Sequence, residues 1–265
     1  MTTAWRLFLD DPADGSMNMA RDEVHLSVAE QGGPPSLRLY AWKNPTLSLG
    51  AHQSAADADL RACRRLGVDL VRRPTGGGAV LHHHEITYAV TGRLGEAPFP
   101  RSVVAVYEKI AAALVAGMAR LGVAAVASRT VASGLAPAHC FGEPSSRELI
   151  ARGRKLAGSA QLRRRGAFLQ HGSILVDFDA ELLGEVLPAS KEAPRPATLR
   201  DLTARTIPRG EIVQALTEAF AETLGVSLQP AREDPGEGEQ IAQLRFSKYL
   251  DAQWTLEGRV RDPRS

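Results

Sequence analysis

Hydrophobic and polar positions along this chain change period repeatedly, and the changes outline its elements. Residues Trp5 to Asp10 read as an opening strand. Ser16 to Ala29 then takes a helical period, with Met17, Ala20, Val24 and Val28 among its apolar positions and Ser16 placed to cap it. Leu37 to Trp42 alternates as a strand and ends in the turn Asn44-Pro45. Thr46 to Gly50 is another short strand, and Ala55 to Leu66 a helix stopped by Gly67. Two apolar runs, Val68 to Val71 and Ala79 to Leu81, flank a glycine-rich stretch, and Glu85 to Thr91 continues the sheet.

Ser102 to Leu121 carries the longest helical period, with Val103, Val106, Ile110, Ala113, Leu114, Gly117 and Leu121 on one face and Gly122 as its stop. Val123 to Val126 predicts a short strand. Ser145 to Ile150 and Arg154 to Arg163 predict strands joined at a Gly153 turn, and Ala167 to Val176 a strand entered through Arg165-Gly166. Ala180 to Leu187 and Arg209 to Leu224 predict helices, the second stopped by Gly225. Glu233 to Glu239, acidic and glycine-rich, predicts a flexible loop, and Leu244 to Trp254 leads into a polar tail.

These strands come in hairpin-like blocks with helices between them, without regular βαβ alternation. The pattern predicts an α+β fold, a mixed and largely antiparallel β-sheet flanked by helices. Pro188 to Pro196 is the one candidate boundary and reads as a surface loop, so residues 1–265 are expected to form a single domain. A hydrophobic content of 44% and a charged content of 23% are ordinary for a soluble globular chain. The net charge of +2 gives no general attraction to nucleic acid. Charge is uneven, however. Arg147, Arg152, Arg154, Lys155, Arg163, Arg164 and Arg165 face only Glu148 within one stretch, which suits an acidic carrier protein as partner or, equally, a solvated hairpin rim. No apolar run reaches the roughly 18 residues of a membrane span. The N-terminus lacks the blocks of a signal peptide, and two cysteines, Cys63 and Cys140, make no disulfide framework, so a cytoplasmic setting is expected.

The glycine-rich stretch carries the candidate chemistry: Arg72-Arg73-Pro74-Thr75-Gly76-Gly77-Gly78-Ala79-Val80-Leu81-His82. Gly76, Gly77 and Gly78 leave backbone free to lie against a ligand, and bare amides make a concave anion site. Arg72 and Arg73 either hold a phosphate or brace the loop, and alternation along a strand lets only one of them face inward easily. The segment lacks the Gly-Lys-Ser/Thr of a P-loop and the spacing of a dinucleotide fingerprint. His82, His83 and His84 alternate faces, so they cannot converge on one ion, and no metal is expected.

The glycine-rich segment resembles the signature of the biotin/lipoate protein ligase and octanoyltransferase superfamily. Further blocks in family order strengthen the resemblance: Asn18-Met19-Ala20-x-Asp22-Glu23, then Trp42-x-x-Pro45-x-x-Ser48-x-Gly50-x-x-Gln53, then Gly153-Arg154-Lys155-Leu156-Ala157-Gly158-Ser159-Ala160-Gln161, then Leu169-Gln170-His171-Gly172-Ser173-Ile174. Together they cover most of the chain from Asn18 to Ile174. His139-Cys140-Phe141-Gly142-Glu143-Pro144-Ser145 resembles the cysteine-dependent octanoyltransferase type within the superfamily. Two departures stand against the family pattern: His83 follows His82 where an acid is common, and Arg147 occupies a common aromatic place.

The resemblance implies Cys140 as nucleophile and Lys155 as the cation that favours its thiolate and later moves the acceptor amine's proton. It implies substrate-binding positions at Arg72, Arg73, Gly76, Gly77, Gly78, His82, Gly158, Ser159 and His171, with His171 and Ser173 supporting Lys155 across the hairpin. No cofactor is implied. The implied donor is octanoyl-acyl carrier protein, and the acceptor a lipoyl-domain protein such as the glycine-cleavage H protein, with no nucleic-acid or membrane partner. Ligases of the superfamily usually carry an accessory C-terminal domain, for which the chain after Trp254 leaves little room. An ATP-dependent lipoate or octanoate ligase, an amidotransferase between lipoyl domains and a non-catalytic carrier-binding protein are the alternatives.

Overall fold

The computed structural model describes residues 3–128, 148–191 and 193–259. The first half of the chain forms β1 (Thr3–Leu9), α1 (Gly15–Glu30), β2 (Ser36–Tyr40), β3 (Thr46–Leu49), α2 (Leu60–Leu66), β4 (Asp69–Arg72), β5 (Val80–His82), β6 (Glu85–Arg93) and α3 (Val103–Arg120). The second half forms β7 (Val126–Ala127), β8 (Leu149–Ala151), β9 (Arg154–Arg164), β10 (Ala167–Leu175), α4 (Ala180–Val186), α5 (Leu199–Thr203), α6 (Arg209–Leu224), β11 (Val226–Pro230) and α7 (Pro235–Leu244).

Eight strands make one sheet in the order β11-β1-β2-β6-β10-β9-β8-β7. β1 runs parallel to β11 and β2, and the remaining pairs are antiparallel. The expected mixed, largely antiparallel sheet is therefore present. Its alternation separates two cores. On one face Ile86, Tyr88, Phe168 and Ile174 pack with Val106, Ile110 and Leu114 of α3 and Leu216 and Phe220 of α6. On the other face Tyr40, Ala89 and Leu169 pack with Met19, Ala20 and Val24 of α1. A Cβ on Gly117 would stand 2.9 Å from Leu216 Cδ2, so a glycine at that point of α3 admits the α6 side chain. The hairpins turn where the glycines predicted it: Arg152-Gly153 and Arg165-Gly166 both take positive φ.

Several expectations are corrected. The segment Ala55 to Leu66 breaks into a 3-10 turn (Ala55–Asp57) and α2, because extended Ala58 separates them and Asp59 caps α2 through the Arg61 and Ala62 amides. Asp14 rather than Ser16 caps α1, accepting from the Met17 amide at 2.9 Å. The predicted loop over Glu233 to Glu239 enters α7 instead. Asp234 and Glu237 exchange side chain-to-backbone bonds in a capping box ahead of Pro235, and local capping overrides the weak propensity of Gly236 and Gly238. The segment leading into the polar tail forms two π-helical turns, Arg245–Tyr249 and Gln253–Glu257, which bury Tyr249 and Trp254 against the α1 core.

Candidate active site

The glycine loop is not a hairpin turn. β4 and β5, which flank it, both pair with β3 in a separate three-stranded sheet of order β4-β3-β5. The loop therefore crosses over the end of β3. There Gly50 comes so near that a Cβ on it would lie 1.9 Å from the Gly77 carbonyl oxygen, and Gly77 itself holds φ at +95°. The Ala51 amide donates to the Thr75 carbonyl at 2.8 Å and fixes the crossing.

The two arginines divide the alternatives left open by the sequence. Arg72 Nε donates to the Trp254 carbonyl at 2.9 Å, and its Nη1 donates to the Gly50 and Gln53 carbonyls at 2.6 and 2.7 Å. Those donors are spent on backbone, in a clamp that ties β4 to the C-terminal turns; Trp254 Nε1 returns a bond to the Arg72 carbonyl at 2.9 Å. Arg72 thus braces the fold and does not face the pocket described next. Arg73 turns the other way. Its Nη2 holds the Gly76 and Gly78 carbonyls, each at 2.7 Å, and its Nη1 reaches Ser48 at 3.1 Å.

Under this loop lies a narrow pocket with a free volume of about 30 Å³. Met19, Tyr40, Trp42 and Val80 give it apolar walls, and Gly158, Ser159, Ala160, Gly172, Arg73, Thr87, His82, His171 and Ser173 complete the lining. Its mostly apolar surface suits an apolar group. The β9–β10 register places Gly158 opposite Ser173 and Ala160 opposite His171. The structure thereby brings Arg73, His82, Gly158, Ser159 and His171 to one cavity, with Gly76 and Gly78 fastened above it through Arg73.

Two carboxylate–imidazole pairs flank the pocket, and neither carboxylate was assigned a role from sequence. His171 Nδ1 lies 2.8 Å from Asp22 Oδ2, and its Nε2 lies 2.7 Å from Thr75 Oγ1. Asp22 also accepts from Arg38 Nη1 at 2.7 Å and from the Tyr40 hydroxyl at 2.9 Å. Burial pushes its carboxyl upward, but the Arg38 charge and the His171 contact outweigh this and hold it below the usual range. His82 Nδ1 lies 2.7 Å from Glu85 Oε1, its Nε2 lies 2.8 Å from Ser48 Oγ, and its ring stacks on Trp42 at 3.9 Å. Glu85 Oε1 also accepts from Ser173 and Thr87 at 2.7 and 2.5 Å. Burial again pushes upward, and the His82 charge and these bonds bring the Glu85 carboxyl below its ordinary value. His83 and His84 stack on each other at 3.7 Å. Among the described residues, no cluster of His, Cys, Asp and Glu could hold a metal.

Lys155 is buried on β9, opposite Ile150 of β8, and its ammonium donates to the Glu148 carboxylate. It stands three residues before Gly158, about 10 Å along the strand, and outside the pocket lining. Cys140, with Arg147, lies outside the described residues. Of the contacts that sequence reading missed, His82–Glu85 had a local signal in its short spacing. Asp22–His171 had none, since nothing between two residues on a helix and a distant strand announces their meeting.

The arrangement presents an apolar surface beneath the glycine loop, with two carboxylate-paired imidazoles beside it that can move protons. The profile of the lipoyl protein ligase A/B catalytic domain matches residues 14–221. The octanoyltransferase LipM of Kyrpidia tusciae is 41% identical over 268 residues, covering 94% of this chain and 97% of its own. That of Symbiobacterium thermophilum is 39% identical, covering 97% and 99%. A lipoate-protein ligase A solved with bound ATP superposes with a TM-score of 0.83 at 25% identity, covering 98% of this chain and all of its own.

Proposed function

This chain belongs to the lipoyl protein ligase A/B catalytic-domain family, and we propose that it carries octanoate through a Cys140 thioester from octanoyl-acyl carrier protein to a lysine of a lipoyl domain. It is an acyltransferase, and octanoyl transfer in lipoate biosynthesis is its activity. The observation that carries the finer reading is the apolar pocket under the Arg73-held glycine loop. The strand that floors this pocket bears Lys155, and the Cys-Phe-x-x-Pro-Ser sequence around Cys140 precedes that strand.

The Cys140 thiolate attacks the donor's thioester carbonyl, and the carrier leaves as its own thiolate. One thioester replaces another, so this step is nearly balanced in energy. The acceptor lysine then attacks the enzyme thioester, and amide formation drives the second step. Lys155 supplies the positive charge that favours the thiolate and later handles the amine's proton. Glu148 fixes the direction of the Lys155 ammonium from within the same buried pair. Gly76, Gly77, Gly78, Gly158 and Ser159 line the acyl path, while His82 and His171 hold its polar rim. The proposed acceptor is a lipoyl-domain protein of the glycine-cleavage H type, and the setting is the cytoplasm.

Intact-mass analysis after mixing with octanoyl-acyl carrier protein, without ATP, tests this. Wild type gains one octanoyl group that hydroxylamine removes, and Cys140→Ala gains none. If wild type forms no adduct, and transfer appears only with ATP and free acid, the protein is a ligase instead.

A further inference from the structure

Ser159 lines the acyl pocket, and its hydroxyl ends a chain of hydrogen bonds that begins near the β9–β10 hairpin. Arg163 Nε donates to Gln161 Oε1 at 2.9 Å. Gln161 Nε2 donates to Gln170 Oε1 at 3.0 Å, and Gln170 Nε2 donates to the Tyr88 hydroxyl oxygen at 3.3 Å. Tyr88 Oη lies 2.7 Å from Ser159 Oγ. The sheet register builds this path: Gln161 lies opposite Gln170, and Gly172 lies between Tyr88 of β6 and Ser159 of β9. A Cβ on Gly172 would stand 2.8 Å from Tyr88 Cε1 and 3.0 Å from Ser159 Oγ, so a glycine there lets the two hydroxyls meet over β10.

Arg163 sets the direction of the whole chain, because a guanidinium only donates. Its bond fixes the Gln161 amide with oxygen toward Arg163 and nitrogen toward Gln170. Two amide nitrogens do not pair, so Gln170 turns its oxygen to Gln161 and its nitrogen to Tyr88. The Tyr88 oxygen accepts from Gln170, and its proton goes to Ser159 Oγ, the one acceptor it meets among the described residues. Tyr88 is fully buried, and burial pushes its phenol upward, so that proton stays in place. Every bond points from the cation toward the pocket, and each donor polarises the next. Ser159 Oγ accepts from Tyr88 and meets no further partner among the described residues, which leaves its own proton unspent.

We propose that the Ser159 hydroxyl donates a hydrogen bond to the acyl carbonyl oxygen of the substrate, with Arg163, Gln161, Gln170 and Tyr88 as positioning residues that fix it as a donor. This rests on the thioester-transfer reading above. When a thiolate adds to the thioester carbon, a C–S bond forms and the carbonyl π pair moves onto oxygen. When the adduct collapses, that pair restores the carbonyl, and the departing sulfur takes the bonding pair of the old C–S bond. In the second half-reaction the neutral acceptor amine adds, its proton passes through Lys155 to the departing sulfur, and the oxygen goes through the same charge cycle. No proton leaves Ser159; its hydrogen bond tightens as charge gathers on the oxygen and relaxes as it disperses. A preset donor at that oxygen lowers the barrier to both half-reactions.

Rapid-quench mass analysis follows octanoyl-enzyme as it forms from octanoyl-acyl carrier protein and decays on an apo lipoyl domain. Ser159→Ala is expected to slow acylation and deacylation about 100-fold each, with little change in KM for the donor. Tyr88→Phe, which keeps Ser159, and Arg163→Met, which frees the Gln161 amide to turn over, should slow both steps less, in that order. Infrared spectra of enzyme acylated with an octanoyl group carrying carbon-13 at its carbonyl supply a readout that a purely structural role would not move. The thioester carbonyl band should lie lower in wild type than in Ser159→Ala, with Tyr88→Phe between them. An unchanged band in Ser159→Ala, or a loss confined to KM, overturns the donor. A band that moves in Ser159→Ala but in neither Tyr88→Phe nor Arg163→Met overturns the positioning chain. If wild type forms no thioester, the transfer reading falls; the same band is then read on octanoate activated with ATP, where Ser159→Ala must still raise it.

Discussion

Thr75 in the glycine loop and His171 on β10 meet through a 2.7 Å contact between Oγ1 and Nε2. Asp22, held ionised, can only accept, so His171 Nδ1 donates to it, and Nε2 is left to pair with the Thr75 hydroxyl. The loop is thus tied to the main sheet through one imidazole whose orientation α1 fixes. Thr75→Val removes the hydroxyl and leaves Nε2 unpaired in a buried place. The expected loss is about 1–3 kcal/mol, read as a lower urea midpoint and faster proteolysis of the loop.

The Asp22 network gives stability a defined pH dependence. Its folded-state carboxyl titrates below its unfolded value, so its contribution is present above the unfolded value of about 3.9 and is lost as pH falls through the lower folded one. Asp22→Asn should remove that part of the acid slope. It should also cost about 3–5 kcal/mol at pH 7, because Arg38 is left buried with one partner fewer. Urea titrations between about pH 3 and 7 measure both effects.

Adjacent glycines separate space from chemistry. Gly50→Ala would drive a Cβ to 1.9 Å from the Gly77 oxygen and must displace the loop, whereas a Cβ at Gly76 meets nothing within 4 Å. Gly50→Ala should destabilise by about 1–3 kcal/mol, and Gly76→Ala should leave the unfolding midpoint near that of wild type. Equal thermal shifts in the two variants would contradict this description of the crossing.

Arg72 and Arg73 should fail in different ways. Arg72→Met strips donors from the carbonyls of Gly50, Gln53 and Trp254, and its cost should appear in thermal unfolding, a shift of about 2–4 °C for each kcal/mol. Arg73→Met releases the Gly76 and Gly78 carbonyls, and its cost should appear mainly as a raised KM for the acyl donor.

Lys155→Met removes the cation assigned to the Cys140 thiolate. Alkylation of Cys140 by iodoacetamide should then need higher pH, moving toward the ordinary thiol value of about 8.5, and acyl-enzyme formation should fall with it. An unchanged alkylation profile would remove Lys155 from that role.

Elements whose cause is local were legible from the chain alone. The helical period of α3, the positive-φ turns at Gly153 and Gly166 and the alternation of β10 depend on neighbours in the chain, and all are present. Family-ordered motifs also marked the glycine loop and the Lys155 strand, because ligand-facing backbone demands glycine at fixed spacing. What depends on distant partners was set by packing. Only folding sends Arg72 to the C-terminal turns and Arg73 under the loop, since alternation says that they diverge but not what each meets. The α7 helix was hidden because a capping box and burial against α1 outweighed its glycines. Asp22 and His171 become partners only when α1 lies across β10, and Glu85 meets both His82 and Ser173 only when β5, β6 and β10 enclose it. Hydrogen bonds of this kind join residues far apart in sequence, and pairings of that range are set by the packed fold rather than by local pattern.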